Sequence, residues 1–213
     1  MSKRTKKKKA YQLALHFLSY RMRTIAEVRA YLQQKEKRVE HAEAAIQKLL
    51  EHGFLNDQSF ADSYVRSKIN TLLKGPLLLK QELLQKGISN TMAEQAVAQF
   101  SVEKQVEKLS IWLENQQNKN RRDSAAAFKQ RLTNRLIGKG FAHSVIGQAF
   151  ETIEVNQDND EEWEALCYQA QKLERKYSAR FRAREYEQKM KQALYRKGFA
   201  LDLIMKYLKQ NGE

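Results

Sequence analysis

The stretches "LLQKGISNTMA" (83–93), "LIGKGFAHSVI" (136–146) and "LYRKGFALDLI" (194–204) write the same corner three times in one chain. In each, leucine precedes a lysine-glycine pair, and a large apolar residue follows: Ile88, Phe141 or Phe199. Glycine after a run of helix formers takes the left-handed conformation that stops a helix, and the next apolar side chain folds back on the last turn. Each KG pair therefore ends one helix and opens the next. Five and ten positions beyond each glycine come Met92 and Val97, Val145 and Phe150, Leu203 and Leu208, an apolar stripe at helical spacing. Gly87, Gly140 and Gly198 lie 53 and 58 residues apart, a period that signals tandem helical repeats.

Working outward, each corner is preceded by two helical segments, so the unit is three helices. Second helices run through "TIAEVRAYLQQK", "PLLLKQELLQKG", "SAAAFKQRLTNRLIGKG" and "REYEQKMKQALYRKG". Thr24 with Glu27 forms a capping box, Pro76 suits a first turn and Ser124 can cap. Third helices are "VEHAEAAIQKLLEHG", "NTMAEQAVAQF", "AHSVIGQAFETI" and "LDLIMKYLKQ", with Thr91 and Glu94 offering another capping box. First helices carry Tyr11, Leu15 and Leu18; Phe60, Tyr64 and Val65; Val102, Val106, Leu109 and Leu113; and Trp163, Leu166, Ala170, Leu173 and Tyr177. The first repeat has no glycine in "QQKEKRVEH", which predicts a longer, looser turn there. The organisation is a basic tail over 1–9, repeats over 10–53, 54–100 and 101–154, and an acidic linker with a fourth repeat over 155–213. The fold class is all-α, with tandem three-helix repeats stacked into an elongated, curved array.

The chain has 213 residues, 42% hydrophobic, with one proline and eight glycines, enough for a buried core and too few turn formers for a sandwich or barrel. Its formal charge of +14 attracts polyphosphates or acidic protein surfaces. A lone cysteine, Cys167, excludes an intramolecular disulfide or a cysteine zinc cluster and reads as an inert core thiol. The basic head is followed by a segment too short and amphipathic for a signal peptide or membrane span, which predicts a cytoplasmic protein.

No phosphate-cradling glycine loop, nucleophile elbow or H-E-x-x-H motif is present, and the four histidines show no ligand spacing, so neither catalysis nor a metal or cofactor is expected. "EVNQDNDEEWE" (154–164) reads as a solvated linker whose carboxylates favour the next helix start; as a calcium loop it lacks the turn glycine and the distal glutamate. Basic residues are more informative. Lys86, Lys139 and Lys197 precede the corner glycines, either lining one edge of the array or complementing helix dipoles. Arg121/Arg122 and Arg180/Arg182/Arg184 concentrate charge beyond what capping needs, and Tyr177 and Phe181 interleave with the latter as a stacking surface would require, although aromatics at helical spacing are more often core.

The run "YRMRTIAEVRAYLQQK" with "LLEHGFLNDQSFADSYVRSKINTLLKGPLLLKQELLQKGIS" resembles the RecX family of bacterial recombination regulators. The matching residues are Arg21, Arg23, Thr24 and Glu27; then Leu55, Asn56, Asp57, Phe60, Ala61, Tyr64 and Val65; then Gly75, Pro76, Glu82, Leu83, Lys86, Gly87 and Ile88. Asp57 can also cap the helix that Phe60 and Tyr64 anchor. The resemblance implies a non-enzymatic modulator that binds the RecA recombinase filament in its helical groove, suppresses strand exchange and ATP hydrolysis, and also binds DNA. It implies RecA and DNA as partners; the binding of single- and double-stranded DNA is expected to be weak and without sequence preference, with no membrane partner and a monomeric state. A fourth unit departs from the shorter three-repeat members. Arg21, Arg23 and the basic residues above are the candidate contacts. The rival reading is a helix-turn-helix-like DNA-binding module or transcriptional regulator, but the third helix beginning "ALDLIMK" is too apolar to read bases.

Overall fold

Twelve helices and no strand are found among the described residues of the computed structural model, which are 3–35, 38–117, 122–153, 159–178 and 180–211. In chain order they are α1 (Lys3–Ser19), α2 (Ile25–Lys35), α3 (Val39–Glu51), α4 (Asp57–Thr71), α5 (Pro76–Gln85), α6 (Asn90–Ala98), α7 (Val102–Gln117), α8 (Ala125–Gly138), α9 (His143–Thr152), α10 (Asn159–Tyr177), α11 (Ala183–Arg196) and α12 (Leu201–Gln210). They form four consecutive trios. The basic stretch read as a tail is helical from Lys3, where α1 begins. The glycine-free turn of the first repeat includes residues 36–37, which lie outside the described residues.

The chain divides into two compact units, Met1–Ser101 with Lys139–Phe141, and Val102–Gly138 with Ala142–Glu213. In the first unit α1 packs on α3 through Ala10, Ala14, Ala42 and Ala45, all buried, whose small side chains let the helix backbones approach closely. Val28, Leu32, Ile46 and Leu49 complete that core. Phe60, Ala61, Val65, Leu79 and Leu83 fill the next trio. In the second unit Leu109, Leu113, Leu132, Leu136 and Ile146 build one core, and Leu166, Ala170, Met190, Leu194 and Ile204 another. Val102, read as part of the buried stripe, is 44% exposed. The stripe on the third helices is shifted in two trios: Ala93, Ala96, Ile204 and Tyr207 lie deepest, while Met92, Val97, Leu203 and Leu208 are half-buried beside them.

The corner glycines have positive φ, 80° at Gly87, 86° at Gly140 and 87° at Gly198, and Ile88, Phe141 and Phe199 are buried behind them. Ile88 N–H donates to the Leu83 carbonyl at 3.1 Å, and Phe199 N–H to that of Leu194 at 3.4 Å, closing the helix ends. Gly53, with φ 72°, makes the same turn after α3, where Phe54 N–H donates to the Leu49 carbonyl at 2.8 Å.

These corners are also joints between successive trios. The lysine carbonyl before each glycine accepts a hydrogen bond from the residue just before the second helix of the preceding trio. Thr24 Oγ1 donates to the Lys86 carbonyl at 2.8 Å, Gly75 N–H to that of Lys139 at 2.7 Å, and Ser124 Oγ to that of Lys197 at 2.5 Å. A carbonyl left unpaired at one helix end thus meets a donor at another helix start. The approach leaves no room for a side chain: a Cβ on Gly87 would lie 2.4 Å from Ala26 Cβ, and one on Gly140 would lie 2.5 Å from Leu78 N. Glycine is required twice over, for its φ and for its missing Cβ.

Two carboxylates complete the joints. Asp57 does not cap its own helix; Asn56 does, its Oδ1 accepting from Ser59 N–H at 2.9 Å. Asp57 Oδ1 reaches instead to Ile25 N–H at 2.9 Å, the first residue of α2. Glu162, from the acidic segment, likewise accepts from Ala125 N–H at 2.8 Å, at the first residue of α8. The corresponding residue of α5 is Pro76, which has no N–H to satisfy. Thr24 Oγ1 accepts from Glu27 N–H at 3.0 Å, as the capping box requires. The Thr91–Glu94 box is replaced: Ser89 caps α6, accepting from Met92 N–H at 3.3 Å, while Glu94 pairs with Lys80 at 2.8 Å. Ser89 has the extended backbone an N-cap needs, whereas Thr91 already lies inside the helix.

Candidate nucleic-acid interface

In the first unit two of the candidate cations, Arg21 and Lys86, gather around one carboxylate. Glu27 Oε1 accepts from Arg21 at 3.4 Å and from Lys86 at 3.2 Å. Burial pushes the Glu27 carboxyl up, but Lys86 and Arg21 outweigh it and hold the group below its ordinary range. Arg23 lies with its guanidinium 4.2 Å above the Phe17 ring, and its Nε is buried without a hydrogen-bond partner. Lys86 is therefore bound into the joint that its own backbone carbonyl helps to build. Nearby, Tyr64 donates to Glu82 Oε2 at 2.8 Å and Lys74 pairs with Glu82 Oε1. Burial and that carboxylate push the Tyr64 phenol up to about 12. The family-like motif residues thus serve mainly to hold helices together.

The remaining candidates are more open. Lys139 and Lys197 are exposed and their carbonyls carry the joints. Lys197 also lines a shallow groove of about 550 Å³ with Gln130, Arg131, Asn134 and Arg196. Arg121 lies outside the described residues. Arg122 is exposed, with its guanidinium 5.1 Å from the Tyr168 ring, and its carbonyl accepts from Gln169 Nε2 at 2.5 Å. Arg180, Arg182 and Arg184 are exposed around the turn from α10 into α11, and Arg182 is the N-cap of α11. Phe181 packs edge-on against Tyr177 at 5.7 Å, and Lys189 lies 5.6 Å from the Phe181 ring.

One group of residues was not singled out from the sequence. Lys172 sits 4.7 Å from the Tyr168 ring that Arg122 also approaches, and Lys176 sits 5.7 Å from the Tyr177 ring. A hydrogen bond with Lys172 lowers the Tyr168 phenol from its ordinary value, with Arg122 adding to the effect. The signal available in the sequence was the four-residue spacing of Tyr168, Lys172 and Lys176, which places them on one helix face. Cation–aromatic pairs occur about once per 70–80 residues. Among the described residues of the second unit eight are found, so cations over aromatic rings recur through this unit and are not confined to one site.

Among the described residues no group of three or more His, Cys, Asp or Glu could hold a metal ion, and no helix is long and apolar enough to cross a membrane. Cys167 is half-buried against the α10–α12 core, and burial pushes its thiol up, away from the reactive thiolate.

Comparison with known proteins agrees with this architecture. Models of the first, second and third three-helix domains of RecX match residues 10–49, 56–97 and 160–208. The trio α7–α9 therefore lies between the second and third matched domains, and the trio α10–α12 corresponds to the third. Regulatory protein RecX of Halalkalibacterium halodurans is 44% identical over 200 residues, covering 94% of this chain and 75% of the relative. Regulatory protein RecX of Oceanobacillus iheyensis is 37% identical over 203 residues, covering 95% and 75%. The crystal structure of RecX from Lactobacillus salivarius superposes with a TM-score of 0.67 at 33% identity, covering 69% of this chain and 96% of that one. With three matching domains and identity extending over nearly its whole length, the chain belongs to the RecX family of regulatory proteins.

Proposed function

We propose that this protein modulates the RecA recombinase, chiefly as an inhibitor, by binding the RecA–DNA filament in its helical groove and suppressing strand exchange and ATP hydrolysis. Membership of the RecX family over 94% of the chain is the observation that carries this reading. The protein acts by binding, as a monomer in the cytoplasm, and its direct hold on DNA is weak and indifferent to sequence. The charge of +14 supports the DNA component. So does the placing of Arg180, Arg182 and Arg184. The start of a helix carries partial positive charge and favours carboxylates, so three arginines there do nothing for α11. They are better accounted for by an anionic partner.

The test separates filament regulation from simple coating of DNA. A coating protein must occupy much of the lattice before it inhibits, whereas a filament regulator acts on assembled filaments when far scarcer than RecA. ATP hydrolysis by preformed filaments is followed as protein is added at low ratio to RecA. Inhibition is expected there, and the R180E/R182E/R184E variant should lose both filament binding and inhibition with its helical content unchanged. Inhibition only at DNA-saturating doses, or an unaffected triple variant, overturns the reading.

A further inference from the structure

Lys and Arg bind phosphates whether the strand is paired or not, but an exposed aromatic ring can be used only by a base whose face is open. The second unit supplies a half-buried ring, Tyr168, in a defined setting. Tyr168, Lys172 and Lys176 follow one another at four-residue steps along α10, each step rising about 6 Å. Arg122 reaches the Tyr168 ring from the segment before α8, and that segment is pinned to α10 by the Gln169–Arg122 carbonyl bond. Glu164, one turn earlier on α10, bounds the basic face at its start. At its other end the chain turns through Tyr177 and Phe181 into Arg180, Arg182 and Arg184.

We propose that this face of α10 is a platform for single-stranded nucleic acid, with an unpaired base stacked at Tyr168 and the flanking phosphates held by Arg122, Lys172 and Lys176. The inference rests on the DNA-binding reading above and adds its strand preference. Lys172 has a flexible stem and can leave the ring for a phosphate, and the planar guanidinium fork of Arg122 matches phosphate oxygens two at a time. In a duplex the base faces are occupied by their neighbours, so the ring contributes nothing. Stacking on an aromatic side chain tolerates any base, in keeping with binding that is indifferent to sequence.

The experiment measures fluorescence anisotropy of the full-length protein with three labelled ligands of about 15 nucleotides, a length within the usual span of single-strand sites. They are an oligothymidylate, an abasic oligodeoxynucleotide with the same phosphates, and a duplex. Tyr168→Ala should weaken binding of the oligothymidylate about tenfold, in line with the loss of one stacked base, and leave the other two unchanged. Tyr168→Leu, which keeps apolar bulk on the helix, should behave as Tyr168→Ala, and Tyr168→Phe as the unaltered protein. Equal weakening for all three ligands, or no weakening for oligothymidylate, overturns the proposal. The charge reading fails separately: it is lost if the R180E/R182E/R184E variant binds the abasic strand as well as the unaltered protein does.

Discussion

Gly53 and Gly87 offer a controlled measurement of what a joint between trios contributes. Both belong to the first unit and both have left-handed φ, 72° and 80°. A Cβ on Gly53 meets nothing within 4 Å, whereas one on Gly87 lies 2.4 Å from Ala26 Cβ. Gly53→Ala therefore reports backbone strain alone, about 1–2 kcal/mol, reduced by the lower entropy of the unfolded chain. Gly87→Ala carries the same strain plus the overlap. Carbon atoms normally meet at about 3.5–4.0 Å, so more than an ångström must be found by moving α2 away from the corner. That movement strains the Thr24–Lys86 bond of 2.8 Å and the Asp57–Ile25 bond of 2.9 Å. Overpacking of this kind costs about 1–3 kcal/mol, giving Gly87→Ala a total of roughly 2–5 kcal/mol. Urea unfolding followed by far-UV circular dichroism reads the difference, because both tryptophans, Trp112 and Trp163, lie in the second unit and their fluorescence reports that unit instead. With a slope of about 1–3 kcal/mol per molar urea, the Gly87 variant should unfold roughly 1 M earlier than the Gly53 variant. Equal midpoints would refute the assignment of Gly87 to a packed joint and leave it an ordinary helix stop.

Ser124→Ala removes both the donor to the Lys197 carbonyl and the acceptor for Ala127 N–H, so a loss of about 1–2 kcal/mol is expected in the tryptophan-monitored transition; a loss confined to the far-UV signal would place the effect outside the second unit and count against the joint. Among the depressed carboxyls, Glu27 belongs to a joint between trios. A group whose folded pKa lies below its unfolded value adds stability above the unfolded value and loses it as pH falls through the folded one. Glu27→Gln should therefore narrow its stability gap to the unaltered protein as pH falls below the ordinary carboxylate range, measured by urea midpoints across that range; a gap that stays constant refutes the Arg21–Glu27–Lys86 cluster as a source of acid sensitivity.

The all-helical trios were legible because the signals are local. Gly87, Gly140 and Gly198 terminate helices through their own backbone freedom, Pro76 occupies a first turn, and Leu201–Gln210 is helical over the segment its periodicity marks. Asp57 and Glu162 were less legible. Adjacency in sequence suggests that Asp57 caps its own helix, but Asn56 already does so, which frees the Asp57 carboxylate for a backbone N–H thirty-two positions away. Tyr168 was missed because an aromatic at helical spacing resembles core; only the approach of Arg122 from another segment marks it as something else.

The sequence by itself determined where helices stop, that they repeat in threes, that the surface is strongly basic, and which family the motif residues resemble. These follow from backbone stereochemistry, side-chain periodicity and charge, all carried by residues near one another in the chain. The tertiary structure decided which charges are engaged and which are open. Lys86 reaches Glu27 from 59 residues away to join Arg21 there, while Arg180, Arg182 and Arg184 stay exposed at the start of α11. It also decided why the corner is written three times, because the absence of a Cβ matters only when another helix arrives to fill the space. Ion pairs and close backbone approaches depend on distances of a few ångströms between segments remote in sequence, and packing alone sets those distances.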